Sequence, residues 1–157
     1  MPSKSNFQSR SEEETAAIAA QLADRLRGQN VLFFGDLGAG KTTFIRALAG
    51  KLGVPEKVKS PTFVIEKNYS LPSGKALHHL DLYRFDSLDT KFAAYLSELF
   101  QSSSTVLIEW AERLNSKDLP AGRIEIHFRE LGAEEREIIF LMFIDLKKTS
   151  WCKDQMK

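Results

Sequence analysis

A chain of 157 residues with 22 Lys+Arg against 21 Asp+Glu, 43% hydrophobic and 27% charged, has the profile of a soluble globular domain and not of a disordered segment. A net charge of +1 supplies no bulk field for nucleic acid or an anionic membrane, so any RNA contact has to be local or carried by a partner, and DNA is not expected as a partner. The single Cys excludes a disulfide framework and a Cys-based zinc site, and the longest apolar run, Ile138 to Ile144, is far below the ~20 residues of a membrane span.

In chain order, the polar, acidic start from Met1 to Glu14 lacks the apolar core of a signal peptide, which points to a cytoplasmic protein with no membrane association. Met1 to Arg10 reads as loose. Ser11-Glu12-Glu13-Glu14 is a capping box, Ser at the N-cap and Glu at N3, and Ile18, Leu22 and Leu26 follow at four-residue spacing. That predicts an amphipathic helix ending near Gly28. Val31-Leu32-Phe33-Phe34 is wholly apolar, as expected of a strand covered on both faces. A glycine-rich turn, Gly35 to Gly40, leads into a helix carrying Phe44, Ile45, Leu48 and Leu52, which stops at Gly53 and Pro55.

Ser60-Pro61-Thr62 is an extended breaker, because the residue before proline avoids the helical region. Phe63–Ser70 and Ala76–Leu82 flank the turn chemistry of Leu71-Pro72-Ser73-Gly74-Lys75 and predict a hairpin. Phe92, Leu96, Leu99 and Phe100 suggest a helix, Thr105 to Glu109 a second buried strand with an acid at its carboxyl end, and Arg123–Phe128 and Glu137–Ile144 later strands. The expected fold is an α/β three-layer domain with a mainly parallel central sheet plus antiparallel hairpin strands, and Gly35 to Gly40 followed by Lys41-Thr42, a phosphate-loop pattern, makes it P-loop NTPase-like. It should occupy residues 1–146 as one domain, with a polar basic tail at 147–157.

Gly35-Asp36-Leu37-Gly38-Ala39-Gly40-Lys41-Thr42 fits G-x-x-x-x-G-K-[ST] at every fixed position. A nucleoside triphosphate carries three to four negative charges, and a Gly-rich turn aims consecutive backbone N–H groups inward without Cβ obstruction. The helix starting near Lys41 adds the positive end of its dipole. Lys41 would reach the terminal phosphates and the Thr42 hydroxyl would ligate Mg2+. A chance match in a surface loop would lack the buried strand before it and the helix after it.

Mg2+ needs hard oxygens, and one or two carboxylates suffice. In open α/β sheets ligands sit at the carboxyl ends of strands, which selects Glu109 for the metal and Asp81 for the attacking water or the metal's water shell. Thr62 is a candidate switch hydroxyl, alternatively a simple turn residue. Arg84 could neutralise transition-state charge, although a solvated surface arginine is the plainer reading. Trp110 reads as half-buried packing or a partner-facing aromatic, and His79, which shares a face with Asp81, as a hydrogen-bonded neighbour.

The blocks Gly35 to Thr43, Val58-Lys59-Ser60-Pro61-Thr62-Phe63, His79-Leu80-Asp81-Leu82-Tyr83-Arg84 and Ile108-Glu109-Trp110, in this order, resemble the TsaE (YjeE) family. The phosphate loop is generic to P-loop NTPases; the other three blocks together are specific. The resemblance implies a small bacterial ATPase required for threonylcarbamoyl modification of adenosine 37 in tRNAs reading ANN codons. It implies ATP and Mg2+ as cofactors and a complex of the TsaD transferase with TsaB as partner, tRNA being met only through that complex. Carried onto this sequence, nucleotide contacts fall to Asp36, Leu37, Gly38, Ala39, Gly40, Lys41, Thr42 and Thr43, with Glu12 and Trp110 beside them. Metal binding falls to Thr42 and Glu109, and catalysis to Asp81, Lys41 and Glu109 with Thr62 and Arg84. The segment Ser87 to Ala94 departs from the acidic, Leu-Gly-containing stretch of relatives.

Three other readings differ in testable ways. A small-molecule P-loop kinase needs an arginine-rich lid, whereas only Arg113, Arg123, Arg129 and Arg136 follow Glu109, without a glycine hinge. A signalling GTPase needs Asn-Lys-x-Asp; Asn115-Ser116-Lys117-Asp118 has those residue types in the wrong register. An ATP-dependent assembly gate would bind nucleotide and partner with negligible hydrolysis.

Overall fold

The computed structural model describes residues 2–36, 38–59, 61 and 64–147. The chain runs β1 (Ser3–Ser9), α1 (Glu12–Leu26), β2 (Asn30–Phe34), α2 (Lys41–Leu52), β3 (Glu66–Ser70), β4 (Ala76–Asp81), α3 (Thr90–Gln101), β5 (Thr105–Glu109), β6 (Arg123–Glu130) and β7 (Arg136–Phe143). Short 3-10 turns at Ala111–Arg113 and Ser116–Asp118 follow β5. The strands form one sheet in the order β1-β7-β6-β2-β5-β4-β3.

The two strands with uninterrupted apolar runs, β2 and β5, sit in the middle, where both faces are covered. Val31 and Phe33 point into a core built with Leu22 and Leu26 of α1 and Phe44 and Leu48 of α2. Leu32 points the other way, to a second core with Leu80, Ile108 and Leu96 and Phe100 of α3. This is the expected three-layer arrangement. Phe33 and Phe44 are fully buried with ring centroids 5.6 Å apart, and each such side chain contributes on the order of 1.5–3 kcal/mol.

The four central strands β6, β2, β5 and β4 pair in parallel, and both flanks are antiparallel. One flank is the expected hairpin β3–β4, shorter than the sequence suggests because Ile65 takes a left-handed φ of 71° and ends the extended run there. The other flank corrects the expectation of a loose N-terminus. Residues 3–9 form β1 and pair along the whole of β7, from Ser3↔Met142 to Ser9↔Arg136. The segment is polar because it is an edge strand, and its one large apolar side chain, Phe7, packs against the α1/α2 core. Of the expected basic tail, only Lys147 falls within the described residues.

Candidate nucleotide-binding site

The glycine-rich turn leaves the carboxyl end of β2, between the ends of β5 and β6. A Cβ on Gly35 would stand 3.0 Å from both the Cβ and the carbonyl of Phe128, so the turn packs onto β6 only with glycine there. Gly40 caps α2 at a φ of 105°, which an L side chain rarely adopts. Among the described residues no side chain caps this helix, and its first turn holds no acid, an arrangement that suits an anion.

Lys41 opens α2 and is only 4% exposed. Its Nζ donates to the Gly35 carbonyl and lies 3.8 Å above the centre of the Trp110 ring. Burial lowers its pKa, against the opposing pull of the Glu112, Glu109, Asp81 and Asp36 carboxylates. Thr42, the next residue, donates from Oγ1 to Glu109 Oε1 at 3.2 Å. The second Glu109 oxygen accepts from His79 Nε2 at 2.8 Å, and both side chains are buried. His79 Nδ1 is buried without a hydrogen-bond partner.

Asp81 is the register partner of Glu109 across the parallel β4–β5 pair, which puts the two carboxylates side by side facing α2. Its Oδ1 accepts from the Tyr83 N–H at 2.9 Å. The backbone around the pair is fixed from both sides: Asp81 N–H donates to Ile65 O at 2.9 Å and Leu82 N–H to Glu109 O at 3.1 Å. Trp110 takes a left-handed φ of 58°, an arrangement that costs on the order of 1–3 kcal/mol and turns the chain sharply after the acid. Its ring meets Tyr83 at 4.9 Å between centroids.

These groups open on a crevice of about 630 Å³. Gly38, Gly40, Lys41, Thr42 and Thr43 form its floor, and Asp81, Glu109 and Trp110 one wall. Glu12 lines it from the start of α1, where Ser11 accepts from the Glu14 N–H and Glu14 reaches back to the Arg10 N–H at 2.6 Å. Not every expected residue arrives there. Arg84 is exposed and does not line the crevice, and neither do exposed Asp36 and buried Ala39, whose N–H donates to the Asp36 carbonyl. Leu37 and Thr62 lie outside the described residues.

Several lining residues carry no signal in the sequence. Ala133 and Glu134 arrive from the β6–β7 turn and Arg136 from the first position of β7. Glu112 accepts from the Gly35 N–H at 3.3 Å, and His79 finds its partner in Glu109 on the neighbouring strand. Among the described residues no cluster of three or more His, Cys, Asp or Glu could hold a metal unaided. A hydroxyl and a carboxylate oxygen converging at 3.2 Å suit Mg2+, which takes few protein oxygens and completes its shell with water and phosphate.

A sequence model of the family described as threonylcarbamoyl adenosine biosynthesis protein TsaE matches residues 9–138, which contain the whole of this site. The chain belongs to the TsaE family. A TsaE from Bacillus subtilis (strain 168), named as a tRNA threonylcarbamoyladenosine biosynthesis protein, is 42% identical over 132 residues, 82% of this chain and 79% of the relative. TsaE of Treponema pallidum (strain Nichols) is 37% identical over 131 residues, covering 83% of this chain and 95% of its own. In three dimensions the chain is similar to the crystal structure of Bacillus subtilis YdiB, with a TM-score of 0.73, 34% identity, and coverage of 98% and 95%.

Proposed function

We propose that this TsaE-family chain binds ATP with Mg2+ and hydrolyses it in support of threonylcarbamoyl modification of adenosine 37 in tRNAs reading ANN codons, acting on a TsaD–TsaB complex in the cytoplasm. The observation that carries this reading is the convergence of buried Lys41, Asp81 and Glu109 with half-buried Thr42 on one crevice at the start of α2.

The first-turn amides of α2 and the Lys41 ammonium would receive the phosphates, and Thr42 and Glu109 would hold the metal. A Mg2+ ion held there would supply positive charge against the phosphoryl oxygens. His79 fixes the orientation of the Glu109 carboxylate through Nε2. Asp81, with one oxygen tied to the Tyr83 N–H, turns its carboxylate toward the crevice to orient the attacking water. Trp110 covers Lys41 and keeps its ammonium out of bulk solvent. Glu12 and its neighbours at the start of α1 form the wall for the nucleoside.

The test is ATP hydrolysis by the full chain mixed with TsaD and TsaB. Asp81→Ala should lower the turnover rate by about 100-fold or more while leaving ATP affinity within a few-fold, because its contact matters most in the transition state. Turnover unchanged in Asp81→Ala would remove Asp81 from the mechanism. ATP-dependent association without accelerated hydrolysis would favour the assembly gate.

A further inference from the structure

The crevice is acidic. Glu12, Glu13, Asp81, Glu109 and Glu134 line it, and against these five carboxylates stand only two cationic side chains, Lys41 and Arg136. A polyanionic ligand entering such a place needs cationic compensation beyond one lysine and one metal ion. Arg136 is the first residue of β7, and its register partner Ser9 fixes it beside the start of α1, across the crevice from Asp81 and Glu109.

The guanidinium is half-buried and directed at the phosphate loop. Nη2 donates to the Gly38 carbonyl at 3.2 Å and Nη1 to the Glu135 carbonyl at 3.4 Å. Both acceptors are neutral. Among the described residues no carboxylate forms an ion pair with Arg136, and the nearby Glu135 carboxylate pairs with Arg10 instead, at 3.9 Å. Arginine carries five N–H donors and a charge that cannot be titrated away. Two of its donors are engaged by these carbonyls, and among the described residues the charge has no counter-ion at contact distance, although five carboxylates line the same crevice.

We infer that Arg136 is a second cationic contact for the phosphate chain of a bound nucleoside triphosphate, held in place by the Gly38 carbonyl. This rests on the nucleotide-binding reading and extends it to a wall of the crevice that none of the sequence motifs reaches. Arg84 does not line the crevice, whereas Arg136 reaches it from the first position of β7.

Calorimetric titration of the full chain with ATP and with ADP, in the presence of Mg2+, tests it with two variants. Arg136→Gln keeps an amide that can donate to a carbonyl but has no charge; Arg136→Lys keeps the charge. The Gln variant should lose about tenfold in ATP affinity and less in ADP affinity, while Arg136→Lys retains most of both. Unaltered thermal unfolding of both variants checks that the fold is kept. Wild-type protein that binds ATP alongside a Gln variant of equal ATP affinity overturns the assignment of Arg136 and leaves the nucleotide site standing. So does an equal loss in the Gln and Lys variants, which would mean that the positive charge at this position contributes nothing to phosphate affinity. Wild-type protein that binds no ATP overturns the site itself.

Discussion

Both oxygens of the Glu109 carboxylate are engaged, one by the Thr42 hydroxyl and the other by the buried His79 imidazole. The imidazole thus decides which oxygen is left for Thr42 and a metal. His79→Ala should raise the Mg2+ concentration needed for half-maximal hydrolysis by roughly tenfold or more, and His79→Asn, which can still donate, should recover part of it. A Mg2+ titration unchanged in His79→Ala would reduce the histidine to core packing. At this scale the sequence was informative wherever the chemistry is contiguous: Gly35, Gly40, Lys41 and Thr42 are fixed by one turn and the start of one helix. Glu109 and Asp81 were legible as acids at the ends of strands. The His79–Glu109 bond was not, because strand alternation gives a side chain's face but not its neighbour on the next strand.

At the scale of elements, β1 is what the sequence concealed. Its residues are polar, and their partners on β7 are set by the β6–β7 hairpin, which no local period reveals. The strand positions one end of the site. Buried Ser9 donates to the Ser11 carbonyl at 2.8 Å and accepts from the Thr15 hydroxyl at 2.7 Å, tying β1 to the first turn of α1. Ser9→Ala leaves both groups without this partner and should cost about 1–2 kcal/mol, read as a lower urea midpoint at unchanged slope. On the opposite flank Tyr95 of α3 donates to the Glu66 carboxylate of β3 at 2.7 Å. Partial burial first, and this bond second, push the Tyr95 phenol from 10.0 up to about 12. The folded state therefore holds the proton more tightly than the unfolded chain. This contribution is complete below pH 10 and is lost as pH rises toward 12. Tyr95→Phe should flatten the decline in stability over that window, and an unchanged slope in alkaline denaturation would contradict the assignment.

Across the whole molecule, the parallel core explains why the chemistry gathers in one place. Strands β2, β5 and β4 all end on the same side, so the phosphate loop, Glu109 and Asp81 converge there although the chain visits them far apart. A sequence with two buried apolar strands and a phosphate loop made that core readable. The antiparallel flanks are different: they depend on pairing between distant segments, and they bring Arg136 and the start of α1 to the site. The near-neutral net charge fits the proposal that anion binding is confined to this crevice and not spread over the surface. The central claim is that the crevice grips the phosphates of a Mg-bound adenine nucleotide, and its most direct measurement is isothermal titration of the full chain and of Lys41→Ala with Mg-ATP. Saturable one-to-one binding by the wild-type protein and none by the variant is the result the account predicts; wild-type protein that takes up no ATP, or a variant that binds it equally well, would contradict it.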